Sequence, residues 1–277
     1  MRFFVRHQTT YRYSAPVRLA PHLLRFNPRP DAGRLVKRDL AIDPEPKRRE
    51  ETVDRFGNLV TRIDFDGLSE VFAIESRFEL DVAFAPAQAS AAPPPLPWPR
   101  DAGGPNAAYL ATAEIDGALR AFALKLATAC AGAPLAFLDR LNETLFTQIR
   151  HDIRPEGPAR PAEETLKLGH GACRDVTTLF LAACRSLGVP ARFVSGYQAY
   201  ADTPDGRRHL HAWPEAFVPG LGWRAYDPTH GLTVSDGHVA LAAAPDQAGT
   251  MPVEGGFTGD GVSSTLSYEV EIATYPD

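Results

Sequence analysis

Alternation between apolar and polar residues dominates the first third of the chain. It predicts strands at 3–13, 17–26, 35–42, 58–65 and 71–84, because such alternation is typical of half-buried strands. The run Asp54-Arg55-Phe56-Gly57-Asn58 is typical of a turn between two of them. Several short strands separated by turns favour a small β-sandwich in residues 1–85. No catalytic constellation is evident there, and we interpret His7 and His22 as surface or packing residues.

The pattern becomes helical after a segment rich in alanine and proline. Residues 86–106 include three consecutive prolines, and proline-rich chain is extended and semi-rigid. We therefore predict a linker at 86–106 and a second domain at 107–277. Apolar residues recur at helical spacing in 113–130 and 135–149. Alternation returns at 267–273 and predicts a final strand.

A glycine-rich turn followed by a buried helix contains the first candidate for chemistry. Gly169 and Gly171 permit a tight turn, and apolar residues from Leu179 to Leu187 follow at helical spacing. Cys173 therefore lies in the first turn of the helix, where the helix dipole and unpaired N–H groups favour a thiolate. We interpret Asp175 as a residue of the helix start. The remaining cysteines, Cys130 and Cys184, are predicted to be inert.

A predicted β-hairpin downstream supplies groups that could serve a thiolate. Its strands lie on either side of the turn Pro219-Gly220-Leu221-Gly222, and alternation places His209, His211 and Trp213 on one face. Asp227 lies at the end of the return strand, where it could contact a histidine. A thiol, an imidazole and a carboxylate in this order indicate a catalytic triad. At this point either histidine could be the base.

Four motifs in the right order resemble the transglutaminase-like superfamily in its bacterial members. They are Gly171-Ala172-Cys173-Arg174-Asp175, the ten residues 188–197 (GVPARFVSGY), His211-Ala212-Trp213, and Gly222-Trp223 with Asp227-Pro228-Thr229. The segments 11–17 and 56–58 are similar to the N-terminal region of the same bacterial proteins. The resemblance implies an α+β protein with a papain-like/transglutaminase-like core. In that core the helix carrying the cysteine packs on an antiparallel sheet, and a small N-terminal β-sandwich domain precedes it.

The resemblance also implies roles for individual residues. Cys173 is the expected nucleophile, His211 the base and Asp227 the group that orients it. The remaining candidates, for an oxyanion donor or the cleft wall, are the N–H of Cys173, Ala172, Arg174, Trp213 and His209. The expected reaction is hydrolysis of a peptide or amide bond through a thioester, as in a cysteine protease or amidase. Amine transfer to glutamine side chains is the alternative.

Three segments beside the expected site depart from the family pattern. Val176-Thr177-Thr178 replace the usual Phe-Ala-His, Pro214-Glu215 replace Val-Glu, and His230 replaces an asparagine. Because these changes adjoin the expected triad, we expect them to affect which substrate the site accepts. Two other classes of function stay open: a metal site built from His209, His211 and Cys173, and a catalytically inactive binding module.

The composition of the chain excludes few classes of binding partner. The chain has 277 residues and a formal net charge of -5, which argues against nucleic acid because nucleic-acid-binding surfaces are basic. No apolar run is long enough for a membrane span, and the N-terminus lacks the pattern of a signal peptide. We therefore expect a cytoplasmic protein that acts on a peptide, protein or small amide without a cofactor. The sequence does not reveal the oligomeric state.

Overall fold

The computed structural model describes residues 1–82, 92–101, 104–111, 117–154, 157–200, 203 and 205–275. Its helices are α1 (Gly117–Ala129), α2 (Pro134–Gln148), α3 (Ala162–Leu168) and α4 (Cys173–Ser186). Its strands are β1 (Arg2–Leu19), β2 (His22–Leu24), β3 (Arg34–Asp43), β4 (Arg48–Val53), β5 (Leu59–Asp64), β6 (Ser69–Asp81), β7 (Arg150–His151), β8 (His170–Gly171), β9 (Ala191–Gln198), β10 (His211–Val218), β11 (Gly222–Asp227), β12 (Leu232–Thr233), β13 (His238–Ala244), β14 (Val253–Glu254), β15 (Phe257–Thr258) and β16 (Ser264–Tyr275). Helices and mainly antiparallel sheets confirm the predicted α+β class.

The N-terminal strands lie close to where alternation predicts them, with two exceptions. The predicted strand 17–26 is divided, since β1 continues to Leu19 and a short β2 begins at His22. Pro21 lies in the break, where its missing N–H prevents a continuous ladder. Strand β4 was not predicted, because all six of its residues are exposed and no apolar face marks it.

Two sheets enclose the apolar core of the N-terminal part. One has the order β15-β1-β6-β3, with β16 also paired to β1, and the other has the order β14-β2-β5-β4. Phe26, Ile63 and Phe72 are fully buried in the cluster between them. Removal of this apolar surface from water stabilises the two-sheet arrangement.

The last strand of the chain belongs to the first sheet. Strand β16 pairs with β1 along its whole length, from Tyr13↔Ser264 to Arg2↔Tyr275. Residues 264–275, which belong to the predicted second domain 107–277, thus complete the N-terminal sheet. Alternation in a sequence identifies a strand but not its partner, so the pairing was not predictable from the pattern.

Apolar and polar contacts join the N-terminal sheets to the rest of the molecule. Phe3 and Val5 of β1 share a buried cluster with Tyr197 of β9. Asn58, also fully buried, donates to the carbonyl of Ala243 at 2.9 Å and accepts from the N–H of the same residue at 2.7 Å. The two halves are therefore held in a fixed relation around the site described below.

The second half is built around helix α4. Eleven of its residues are buried, and its apolar face packs with α1, α2, β9 and β10 in one cluster. Gly188, with φ at +79°, follows the helix and approaches the backbone of Trp98 so closely that a Cβ would lie 2.1 Å from the Trp98 carbonyl oxygen. This glycine ends the helix as predicted.

The predicted helices 113–130 and 135–149 correspond to α1 and α2, although 113–116 lie outside the described residues. Much of the predicted linker 86–106 also lies outside them. Its described part follows the helical core, where the N–H groups of Leu96 and Trp98 donate to the carbonyls of Gly132 and Leu187, both at 2.8 Å. Among the described residues, no helix combines the length and the apolar character needed to cross a membrane.

A five-stranded sheet of order β12-β11-β10-β9-β13 packs against α4. Strands β10 and β11 form the predicted hairpin, which begins at the pair Val218↔Gly222. Strand β13 was not predicted and pairs with the other edge of β9. The hairpin and β13 therefore bring residues distant in sequence to the N-terminal end of α4.

We expect Asn58→Ala to lower the free energy of unfolding by about 2 kcal/mol or more. The substitution leaves the buried N–H and carbonyl of Ala243 without their partner, and each such loss costs about 1–3 kcal/mol. Urea denaturation followed by circular dichroism measures the change. Arg55→Ala, an exposed change in the same turn, is the control and should stay within about 0.5 kcal/mol of the parent. Equal stabilities for the two variants would contradict the prediction.

Candidate active site

The first turn of α4 holds Cys173 at the edge of a cleft. The preceding loop is fixed by Asp175, a fully buried side chain that accepts the N–H of Ala172 at 2.8 Å and the N–H of Arg160 at 2.8 Å. The same carboxylate pairs with Arg154 at 2.6 Å. These contacts confirm that Asp175 is a residue of the helix start. They also position the loop that precedes the thiol.

Strands β10 and β11 bring His211 and Asp227 to this thiol. Nε2 of His211 lies 2.9 Å from Oδ2 of Asp227, and His211 and Cys173 line the same cleft and are close enough for each to shift the pKa of the other. Because Nε2 faces the carboxylate, Nδ1 is the nitrogen left for sulfur. The structure therefore brings the three predicted triad residues together in the order sulfur, imidazole, carboxylate.

Asp227 accepts hydrogen bonds from more than one imidazole. Nδ1 of His230 lies 2.9 Å and Nε2 of His238 lies 3.1 Å from the same Oδ2 that accepts from His211. The backbone N–H groups of Thr229 and His230 lie 3.2 and 3.3 Å from Oδ1. The side chain of Asp227 is fully buried, so these donors replace the water that would solvate a carboxylate.

Burial and charge set the protonation of the three groups. Burial favours a neutral Asp227, but the charge and hydrogen bond of His211, with the bonds from His230 and His238, hold the pKa of that carboxyl well below its usual range. Burial lowers the pKa of His211, but Asp227 and the thiol together raise this pKa by a larger amount, so the net shift is upward. Burial raises the pKa of Cys173, and the hydrogen bond and charge of His211 outweigh it, so this pKa is lowered. The arrangement favours a thiolate beside an imidazolium.

The other predicted histidine lies apart from this triad. His209 precedes β10, and its Nδ1 lies 2.9 Å from the hydroxyl of Tyr268 while its Nε2 lies 2.9 Å from Oδ2 of Asp205. His209 lines the cleft, but these two contacts join it to neither Cys173 nor Asp227. The geometry thus assigns the position beside Cys173 to His211.

The remaining candidates occupy different places. Ala172 lines the cleft, but its N–H donates to Asp175, so that N–H is not directed at a substrate. Arg174 also lines the cleft, and burial, together with the nearby charge of Arg154, lowers its pKa. Trp213 is 1% exposed and contacts the rings of His211 and His238. It is therefore a packing residue behind the imidazole.

Sequence reasoning missed two residues of the site. His230 was seen only as a departure from the asparagine of the family, which was a usable signal because it adjoins the Asp-Pro-Thr motif. His238 had no such signal, since it reaches Asp227 only through the pairing of β13 with β9.

One group of possible metal ligands occurs among the described residues, and it differs from the expected set. His211, Asp227 and His230 place ligand atoms within 4.8 Å of one another. The same atoms already form the hydrogen bonds between these side chains. The alternative set of His209, His211 and Cys173 does not form this group, because His209 is directed to Asp205 and Tyr268.

The cleft beside the thiol has a volume of about 280 Å³. One wall comes from the core, through residues of α4 and β10. The opposite wall comes from the N-terminal sheet, through Thr9 and Tyr11 of β1 and Leu266 and Tyr268 of β16. His7, which we interpreted as a surface or packing residue, is buried at the base of this wall and is hydrogen-bonded to Tyr197.

Helix α4 presenting a cysteine to a histidine and an aspartate on an antiparallel sheet defines a transglutaminase-like core. The profile of the transglutaminase-like superfamily matches residues 121–228, which include the whole triad, and that of the bacterial transglutaminase-like N-terminal region matches residues 3–81. The chain therefore contains a transglutaminase-like core and the bacterial transglutaminase-like N-terminal region.

Individual proteins are similar to this chain over different lengths. An uncharacterized protein of Mycobacterium tuberculosis is 27% identical over 297 aligned residues, which cover 99% of this chain and 93% of that protein. The protein-glutamine gamma-glutamyltransferase of Pseudomonas aeruginosa is 31% identical over 105 residues, covering 34% of this chain and 15% of that protein. The solved structure of a candidate cysteine protease from Cytophaga hutchinsonii has a TM-score of 0.76 at 21% identity and covers 100% of this chain and 91% of that one. At this identity, the likeness establishes the fold alone.

We expect Asp227→Asn to move the alkylation of Cys173 to higher pH. A neutral amide no longer stabilises the imidazolium, so the pKa of His211 falls and that of Cys173 rises. In the parent, the rate of iodoacetamide alkylation should reach half its plateau below about pH 8.5, the value of a free thiol. Mass spectrometry of the Cys173 peptide gives the rate at each pH.

Asp205→Asn is the matched control for this profile. It removes a carboxylate that contacts His209 but not His211, so the midpoint should stay at the parent value. A profile that shifts equally in both variants, or in neither, would show that Asp227 does not set the charge of the pair.

Proposed function

We propose that the protein hydrolyses a peptide or amide bond through a Cys173–His211–Asp227 triad and a thioester intermediate. The observation that carries the proposal is the hydrogen bond from His211 to the buried Asp227 carboxylate in the cleft that Cys173 and His211 both line. A nucleophile, a base and an orienting group in hydrogen-bond reach are what nucleophilic acyl transfer requires.

In the proposed reaction the Cys173 thiolate attacks the amide carbonyl carbon. The carbonyl becomes a tetrahedral oxyanion, and the N–H of Cys173 at the helix N-terminus is a candidate donor to it. The oxyanion collapses as the C–N bond breaks, and the imidazolium of His211 gives its proton to the leaving amine. His211, now neutral, takes a proton from water as the water oxygen attacks the thioester carbonyl carbon. The C–S bond of the resulting tetrahedral intermediate breaks and releases the Cys173 thiolate. The products are a carboxylic acid and the regenerated pair of thiolate and imidazolium.

Asp227 has a fixed role in both halves of this cycle. Its carboxylate keeps the proton of His211 on Nε2, so that Nδ1 is the nitrogen that exchanges a proton with the sulfur, the amine and the water. The bonds from His230 and His238 hold the carboxylate itself in position. The proposed triad therefore gains and loses protons at a single atom, Nδ1 of His211.

Transfer of the acyl group to a primary amine is the second candidate. The stretch that is 31% identical to the Pseudomonas aeruginosa protein-glutamine gamma-glutamyltransferase supports it. Both reactions share the thioester and differ in what attacks it. We favour hydrolysis, because water needs no second binding site and an amine acceptor does.

We expect Cys173→Ala to abolish covalent labelling by iodoacetamide at this site and to reduce peptide hydrolysis by a factor of about 10³ or more. The variant lacks the nucleophile, while its fold keeps the buried residues around α4. Intact-protein mass spectrometry measures labelling, and chromatography of a peptide library measures hydrolysis. Cys130→Ser is the control and should retain hydrolysis, because Cys130 lies at the end of α1 away from the cleft lining. Unchanged hydrolysis in the Cys173 variant would overturn the proposal.

The same library distinguishes the two acyl acceptors. Each peptide is incubated with the protein in the presence of a labelled primary amine. The amounts of free acid and of amine adduct are then measured separately in the same reaction. Hydrolysis predicts the acid as the main product at millimolar amine. Predominance of the adduct on glutamine side chains would favour the second candidate instead.

A further inference from the structure

The last strand of the chain forms part of the cleft beside the nucleophile. The β1–β16 register sets Val270 opposite His7, Tyr268 opposite Thr9, and Leu266 opposite Tyr11. Residues two apart in a strand share a face, so these three rungs lie on one side of the sheet. At Val270 this face is buried against the rest of the molecule. At Tyr268 and Leu266 it emerges from that contact and borders the cleft.

These two side chains are unusually open for apolar residues of a strand. Leu266 is 56% exposed and Tyr268 is 42% exposed. Because they line the same cleft as Cys173, water on their surfaces is displaced when a substrate occupies the site. Release of that water favours an apolar group of the substrate over a polar one.

The ring of Tyr268 is held in place at the mouth of the cleft. Its hydroxyl lies 2.9 Å from Nδ1 of His209, whose Nε2 is hydrogen-bonded to Asp205. The aromatic face is thus a fixed surface and needs little ordering when a ligand binds.

Part of the remaining lining is also apolar. Met251, Pro252 and Val253 contribute apolar surface to the cleft, which polar side chains, among them Arg154 and Arg174, line elsewhere. A carboxamide or carboxylate placed among these three apolar side chains would lose its hydrogen bonds to water without gaining replacements from them. A leucine-like or aromatic side chain would meet no such cost.

We propose that β16 is the specificity element of the protein, with Leu266 and Tyr268 selecting substrates that carry a bulky apolar side chain within two residues of the carbonyl that Cys173 attacks. The proposal rests on the function proposed above, since it assigns the occupant of the same cleft. It also gives the N-terminal sheet a role in recognition, because β1 holds β16 in place.

Peptide binding to the Cys173→Ala protein tests this proposal without catalysis. The probes are acetylated pentapeptide amides that carry phenylalanine, leucine, glycine or glutamate at one position, which is moved along an otherwise constant sequence. Isothermal titration calorimetry gives each Kd. At the preferred position, the phenylalanine and leucine peptides should bind about tenfold or more tighter than the glycine peptide, as burial of such a side chain predicts.

Variants of β16 then locate the source of the preference. Leu266→Ser combined with Tyr268→Ala should reduce it to about twofold or less, whereas Tyr268→Phe, which keeps the ring, should preserve it. Ser267→Ala and Glu269→Ala are matched controls, because these exposed residues of the same strand point to the opposite face. Thermal unfolding checks that each variant stays folded.

Each result decides the matter. Equal affinity for apolar and glycine peptides at every position, no measurable binding of any peptide, or a preference that survives the double substitution would overturn the proposal. Preference that is lost in the double variant and kept in the three others would support it. If the parent protein shows this preference but its Cys173 resists iodoacetamide, the proposed reaction fails while the role of β16 stands.

Discussion

The buried carboxylate of Asp227 is the group on which the rest of the site depends. It is held as an anion by donors from β10, β13 and the loop after β11, and an anion without them would be too costly to bury. Its charge raises the pKa of His211, and the imidazolium in turn lowers the pKa of Cys173. The lowered pKa of a thiol on a helix thus depends on a carboxylate on a separate strand.

This dependence explains why the sheet and α4 must be rigidly related. The helix is almost entirely buried and packs on β9 and β10, so the thiol cannot move independently of His211. Strands β1 and β16 of the N-terminal sheet also line the cleft. The cleft is therefore lined by residues of two different sheets, which share the apolar cluster around Tyr197.

Local patterns predicted much of this. Helical spacing and Gly188 gave α4 its limits, and the turn at Gly220 gave the β10–β11 hairpin. The family resemblance, and not a local pattern, selected Cys173, His211 and Asp227 as the expected triad. Strand β4 escaped because all its residues are exposed. His238 escaped because nothing near it in the sequence marks a contact with Asp227. The pairing of β16 with β1 escaped because alternation does not reveal a strand's partner.

The sequence by itself determined the elements, their order and the chemical types of the reactive groups, since periodicity, turn residues and motifs act over short distances along the chain. The family resemblance favoured His211 over His209, but only the tertiary structure showed that three imidazoles contact Asp227 and that β16 borders the cleft. His209 and His211 alternate onto the same predicted face, and only the three-dimensional contacts direct one to Asp205 and the other to Asp227. Those choices depend on groups distant in sequence, whose burial and pairing exist only after the chain has folded.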